Sequence, residues 1–207
     1  SKRHAATSLE EYKDMGYLDS AILNSLARLG WSGGDKEVFY MDDLLKDFNI
    51  KDVQKAGAIF DITKLDWLNA QHLANLSLEG FKEHIKPFAH KIDIDINDHP
   101  NTDLLIASMR TFDNTLSDIA RALRPYFMDV GEYDKNAIGK FLSNGTIVLE
   151  DIHELLQTIT DWNEEEIDVM LKEYQTSNNL KVPQVNQPIR IALTGSIKSP
   201  SLGLTLY

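Results

Sequence analysis

Residues 181–202, KVPQVNQPIRIALTGSIKSPSL, read as two short helix starts with a left-handed stop between them. Proline fits the first turn of a helix, where its fixed φ is suitable and its missing N–H has no partner to lose, so Pro188 marks a start and Gly195 the stop. Arg190 then lies in that first turn, and Ser199-Pro200 repeats the start signal. The charge changes here as well. Asp151 to Leu180 carries eight acidic residues and one lysine, whereas Lys181, Arg190 and Lys198 follow with no carboxylate side chain to the end of the sequence. In a chain of net charge −11 this is a positive island. Two helix N-termini with unpaired N–H groups beside an arginine suit an anionic or hydrogen-bonding ligand such as unstacked RNA. A terminal segment merely punctuated by proline and glycine is the plainer alternative.

Upstream the pattern is also helical. Ser8 and Glu11 have the spacing of a capping box, and Leu9, Tyr12 and Met15 share a face before Gly16, which predicts a helix over Leu9 to Met15. Ala21, Ile22, Ser25, Leu26 and Leu29 form a second stripe that Gly30 ends. Further helices are predicted over Met41 to Phe48 and Phe60 to Leu76. From Pro100 onward they follow over Thr102 to Phe112, Thr115 to Tyr126, Lys135 to Leu142, Leu149 to Ile159 and Glu164 to Gln175. In the last of these, Glu164, Glu165 and Glu166 suit a first turn because the helix dipole favours carboxylates there. Strand evidence is confined to Val38-Phe39-Tyr40 and to Ile92–Asn97, which is short enough to be an extended linker. Short connections therefore predict an all-α packing of neighbouring helices, with a joint near Asp129-Val130-Gly131.

Composition narrows the function. At 207 residues and 43% hydrophobic content the chain can bury a sizeable core in one or two domains. It has no cysteine, hence no disulfide framework or thiolate chemistry, which fits a reducing compartment. No apolar run approaches the roughly 20 residues that span a bilayer, and the basic Ser1-Lys2-Arg3-His4 start lacks the hydrophobic region of a signal peptide, so a cytoplasmic location without a membrane partner is expected. The acidic balance excludes nonspecific coating of nucleic acid; any nucleic-acid site must be local. Asp93, Asp95 and Asn97 have the spacing of a calcium loop, but Asp98 in the sixth position and Leu104 in the twelfth rule it out. His84, His90 and His99 are too irregularly placed for a helical ligand pair, so no metal site is expected. No phosphate loop or nucleophile elbow occurs, and the residues by themselves complete no catalytic constellation.

Taken together, SKRHAATSLEEYKDMGYLDSAILNSLARLGW at the start, Ala58-Ile59-Phe60-Asp61-Ile62-Thr63-Lys64-Leu65-Asp66-Trp67-Leu68-Asn69, and Gln187 to Gly195 with Ser199-Pro200 resemble, in order, the class I aminoacyl-tRNA synthetases, specifically the bacterial glutamyl-tRNA synthetases. In that family a K-x-S-K-R loop lies against ATP, and the sequence begins at its serine. The resemblance implies ATP contacts for Ser1, Lys2 and Arg3, with Lys2 stabilising the phosphates as glutamate is activated. The domain that would hold glutamate and ATP is absent from this sequence, so the chain is expected to be an inactive fragment without a cofactor of its own, while the full-length enzyme would use ATP with Mg. A monomer is expected, with tRNA(Glu) as partner.

By the same resemblance residues 1–59 form a stem-contact region, and residues 60–130 and 131–207 the two helical parts of an anticodon-binding domain, the last helix being cut soon after Tyr207. Lys64 and Trp67 would touch the tRNA stem. Phe112, Val182, Gln187, Arg190, Ser199, Pro200 and Leu202 would face the anticodon. Phe112 departs from the family pattern: it stands where members that discriminate between glutamate and glutamine tRNAs carry an arginine, which implies that tRNA(Gln) is charged too. Arg110 cannot substitute, since two residues away on a helix it points to nearly the opposite face. The competing reading is an acidic helical module that binds a basic partner protein.

Overall fold

The structure, a computed structural model, describes residues 8–54, 57, 59–143 and 145–207. Among them twelve α-helices follow one another: α1 (Leu9–Met15), α2 (Asp19–Arg28), α3 (Met41–Asp47), α4 (Ile62–Asn75), α5 (Leu78–His90), α6 (Thr102–Met109), α7 (Leu116–Leu123), α8 (Lys135–Ala137), α9 (Thr146–Leu156), α10 (Glu164–Ser177), α11 (Val182–Thr194) and α12 (Leu202–Leu206). No strand occurs among the described residues. The chain divides into two compact units, residues 1–97 with 102–121, and residues 98–101 with 122–207.

In the first unit the local signals act as the sequence suggests. Ser8 Oγ accepts the Glu11 N–H at 3.2 Å, and the Glu11 carboxylate accepts the Ser8 N–H at 3.3 Å, closing the capping box of α1. Gly16 ends that helix at φ 94°, and its carbonyl accepts the Leu116 N–H at 3.1 Å. Two buried asparagines then do what strands do elsewhere. Asn24, on α2, accepts the Phe39 N–H at 2.8 Å and donates to the Glu37 carbonyl at 3.1 Å. This is why Val38-Phe39-Tyr40 forms no strand: its backbone is satisfied by a side chain, and Phe39 is free to pack on Trp31 at 5.0 Å between ring centres. Asn69, on α4, accepts the Leu18 N–H at 2.8 Å and donates to the carbonyls of Gly16 and Asn114 at 3.3 and 2.6 Å.

Helix α5 has no counterpart among the sequence-predicted elements, because Gly80 and Pro87 interrupt its pattern. Ser77 caps it through Oγ to the Gly80 N–H at 3.1 Å, and Phe81, Ile85 and Ala89 bury one face completely. Pro87 lies inside the helix and leaves the Glu83 carbonyl without its helical partner, a loss set against the burial of that apolar face. The stretch Ile92–Asn97 is likewise not extended. Asp93 takes a left-handed φ of 62°, Asp95 Oδ1 accepts the Asn97 N–H at 2.9 Å, and Ile94 and Ile96 turn into the core.

His72 gives this unit a pH dependence. It is 2% exposed, and its Nε2 lies 3.2 Å from Asn24 Oδ1. That oxygen already accepts the Phe39 N–H, so Nε2 carries the proton. Burial pulls the His72 pKa below its ordinary value. The native state therefore disfavours the second proton, and stability present above the unfolded value of about 6.5 is lost as pH falls below it. His99, in the second unit, is shifted the same way by burial. The slow-exchanging amides of α2 and α4 should accordingly lose protection between pH 7.5 and 5.5, and much less so in His72→Gln; equal losses in both proteins would assign the effect elsewhere.

The second unit is built on one core, to which α9 gives Val148 and Ile152, α10 gives Ile167, Leu171 and Tyr174, α11 gives Val185 and Ile189, and α12 gives Leu202. The spacings of three and four are those of helices with one apolar face. The Tyr174 hydroxyl donates to Asp151 Oδ2 at 2.7 Å, and burial, then that carboxylate, push the phenol up to about 12. Two predicted helices change character here. Thr115 to Tyr126 is α-helical only to Leu123 and tightens to a 3-10 turn over Arg124–Tyr126, since Pro125 has no N–H to continue the ladder. Lys135 to Leu142 is α-helical to Ala137 and widens to a π turn over Ile138–Leu142.

Candidate nucleic-acid interface

The basic segment folds differently from its sequence-based reading, and the prolines explain why. Helix α11 begins at Val182, with Pro183 rather than Pro188 in its first turn. The Lys181 N–H is taken by Gln184 Oε1 at 2.8 Å. Pro188 lies inside the helix, where it denies the Gln184 carbonyl a partner. Its ring is buried against Gly145, whose Cβ, if it had one, would stand 2.7 Å from Pro188 Cγ. Arg190 thus sits in the helix interior. Gly195 is the left-handed stop that the sequence indicates, at φ 72°. Its N–H donates to the Ile191 carbonyl and its own carbonyl accepts the Asp134 N–H, both at 2.9 Å. A Cβ there would lie 2.4 Å from the Glu132 carbonyl, so the close approach as well as the φ requires glycine.

Helix α12 is capped by Ser201, not by Ser199. Ser201 Oγ accepts the Leu204 N–H at 3.2 Å and donates to Glu164 at 2.6 Å, while Asp168 Oδ1 accepts the Gly203 N–H at 3.0 Å. Carboxylates of α10 therefore occupy the N-terminus of α12, and the expected pair of open helix ends beside an arginine is not formed. What is formed is a hydroxyl cradle. Arg190 Nε donates to Ser199 Oγ at 2.9 Å, and Ser199 Oγ stands 2.9 Å from the Pro200 carbonyl and 3.3 Å from Thr205 Oγ1. Tyr126 reaches Thr205 at 3.4 Å; burial raises its phenol pKa, against which Thr205 and the positive field of Arg190 act. Neither Tyr126 nor Thr205 is suggested by the sequence, because 79 residues separate them and neither carries a motif.

The other residues of this unit are variously placed. Val182 is 55% exposed, and Ser199 and Pro200 are half-buried. Gln187 is half-buried, and its Oε1 is a buried acceptor without a partner among the described residues. Leu202 is 3% exposed and belongs to the core. Its side chain holds α12 in place and offers no open face.

In the first unit, Phe112 is half-buried in the turn after α6, its N–H donating to the Met109 carbonyl at 3.1 Å. The helix predicted to run through Phe112 stops at Met109. Arg110 is tied to the backbone of α4, its Nη2 donating to the Ala74 carbonyl at 2.7 Å. On α4, Lys64 Nζ lies 4.1 Å from the centre of the Trp67 ring and 2.7 Å from the Glu37 carboxylate, which it holds below the usual carboxylate range. An exposed pair of this kind contributes little to stability. Ser1, Lys2 and Arg3 lie outside the described residues.

Comparison with known proteins bears on the whole chain. The family model of the anticodon binding domain matches residues 80–207, and that of the catalytic domain of class I tRNA synthetases (E and Q) matches residues 1–67. A glutamate–tRNA ligase of Thermodesulfovibrio yellowstonii is 38% identical over 98% of this chain and 44% of its own length. Glutamate–tRNA ligase 1 of Syntrophus aciditrophicus is 38% identical over 98% of this chain and 43% of its own. The chain thus spans less than half the length of these relatives. In three dimensions it is similar to a glutamate tRNA ligase from Elizabethkingia meningosepticum, with a TM-score of 0.77 and 29% identity, over 95% of this chain and 39% of that one. None of these relatives supports an acidic protein-interaction module. With helices and no strand among its described residues, and matched over its larger part by the corresponding family model, the chain belongs to the anticodon binding domain family.

Proposed function

We propose that the chain is the tRNA-recognising part of a cytoplasmic, monomeric glutamate–tRNA ligase that joins glutamate to tRNA(Glu) with ATP and Mg. Residues 1–59 are the stem-contact region, with Lys64 and Trp67 just beyond it on α4, and residues 60–130 and 131–207 are the two parts of the anticodon-binding domain. Ser1, Lys2 and Arg3 belong to the ATP loop, Lys2 being the phosphate-binding lysine. Phe112, Val182, Gln187, Arg190, Ser199 and Pro200 face the anticodon, and Leu202 supports them from the core. Phenylalanine at position 112 makes the enzyme indifferent to the third anticodon base, so tRNA(Gln) is a second substrate.

One observation carries the reading: Arg190 sits in an acid-free segment, oriented by a serine and without an ion-pair partner among the described residues. In a chain of net charge −11, an arginine so held is a local positive site. Gel shifts with tRNA(Glu) at low and moderate salt test it. Arg190→Ala should weaken binding by about 1–3 kcal/mol, the range of a specific base contact. Unchanged affinity would return Arg190 to the role of an ordinary surface charge.

A further inference from the structure

The way Arg190 is held says more than that it is positive. Its inner nitrogen, Nε, is the one engaged by Ser199. Ser199 in turn has one proton and two lone pairs, and all three are accounted for: the proton goes to the Pro200 carbonyl, and the lone pairs accept from Arg190 and from Thr205. Thr205 Oγ1 shares its proton between Ser199 and the Ser201 carbonyl, 2.9 Å away, and the phenol of Tyr126 can fill its acceptor side at 3.4 Å. A phenol is protonated at neutral pH in any case, so Tyr126 can donate.

An arginine tied down through Nε cannot rotate its guanidinium freely. The nitrogens left to a ligand are Nη1 and Nη2, whose parallel N–H groups match two adjacent acceptors, such as O6 and N7 of guanine or O2 and N3 of cytosine. Uracil places a donor between its two carbonyls and can meet only one of them. We propose that Thr205 is a positioning residue: through Ser199 it fixes the rotation of the Arg190 guanidinium, so that Arg190 presents its end-on fork to a base edge with two neighbouring acceptors. This rests on the tRNA reading above and refines it.

The test has one arm without RNA and one with it. In the free 207-residue chain carrying isotope-labelled arginine, the Arg190 Nε–H resonance is identified by its loss in Arg190→Lys. Thr205→Val, nearly isosteric but without the hydroxyl, should speed its exchange with water about fivefold or more, the effect of losing one hydrogen bond. Ser199→Ala should do the same, and Thr205→Ser should leave it slow. In filter binding with tRNA(Glu), Thr205→Val should bind about fivefold more weakly, Thr205→Ser should match the parent, and Thr205→Val combined with Arg190→Ala should bind no more weakly than Arg190→Ala alone. An unaltered exchange rate in Thr205→Val, or additive losses in the double variant, overturns the proposal. Slow exchange lost as expected, but tRNA binding indifferent to Arg190→Ala, overturns the recognition reading and with it the purpose assigned to Thr205.

Discussion

Replacing Asn69 by leucine should destabilise the first unit by about 3–5 kcal/mol, more than most single substitutions do. Leucine has as many side-chain heavy atoms as asparagine and is bulkier, so no cavity is left. The loss comes from three backbone groups at once. The Leu18 N–H and the Asn114 carbonyl lose the Asn69 amide as their partner, and the Gly16 carbonyl is left with the Leu116 N–H alone. An unpaired buried polar group costs about 1–3 kcal/mol, and the site, with Asn69 fully buried, gives water little access. Asn69→Asp keeps the acceptor for Leu18 but sets a carboxylate against two carbonyl oxygens, so it should not restore stability. Because the two units need not unfold together, the measurement is hydrogen exchange resolved by helix, with protection lost in α2 and α4 and kept in α9 and α10. A loss below about 1 kcal/mol would mean that water or a backbone shift re-pairs the Leu18 N–H and the Asn114 carbonyl.

In the enzyme proposed above, tRNA(Glu) and tRNA(Gln) should be charged with specificity constants within about tenfold of each other, and Phe112→Arg should restore a preference of about 5- to 150-fold, the equivalent of 1–3 kcal/mol for one base contact. The third anticodon base is C in one tRNA and G in the other. A phenylalanine can only stack, which stabilises by about 1–3 kcal/mol whichever base is present. A site built on a hydrogen bond rejects the wrong base because its own polar groups are then left unpaired. Arg110 is anchored through Nη2 to the Ala74 carbonyl. Charging of both tRNAs by the full-length wild-type and Phe112→Arg enzymes decides it. A wild-type preference well beyond tenfold, about 1.4 kcal/mol, would show that another group reads the base.

Much of the fold is legible wherever the deciding interaction is local. The capping box at Ser8 and Glu11, the acidic first turn of α10 behind Asn163, and the glycine stop at Gly195 each depend on residues within four positions of one another, so the sequence alone placed these ends. Helix α5 escaped because its punctuation by Gly80 and Pro87 is a local argument against a helix, overridden by the burial of Phe81, Ile85 and Ala89. Val38-Phe39-Tyr40 has the composition of a strand but no second strand among the described residues to pair with, and a distant asparagine satisfies it instead.

The basic island shows where the division falls. Its charge, its lack of carboxylates and the presence of Arg190 are properties of the chain, and the sequence by itself determined them together with the all-α class. Which proline opens α11 was a tertiary decision, because Pro188 can lie inside a helix only where Gly145 leaves room for its ring. The closure of the α12 N-terminus by Glu164 and Asp168 was another. So was the hold on Arg190, which passes through Ser199 to Thr205 and on to Tyr126. These are hydrogen bonds and van der Waals contacts that act over a few ångströms between residues far apart in sequence, and only the packed chain brings them within reach of one another.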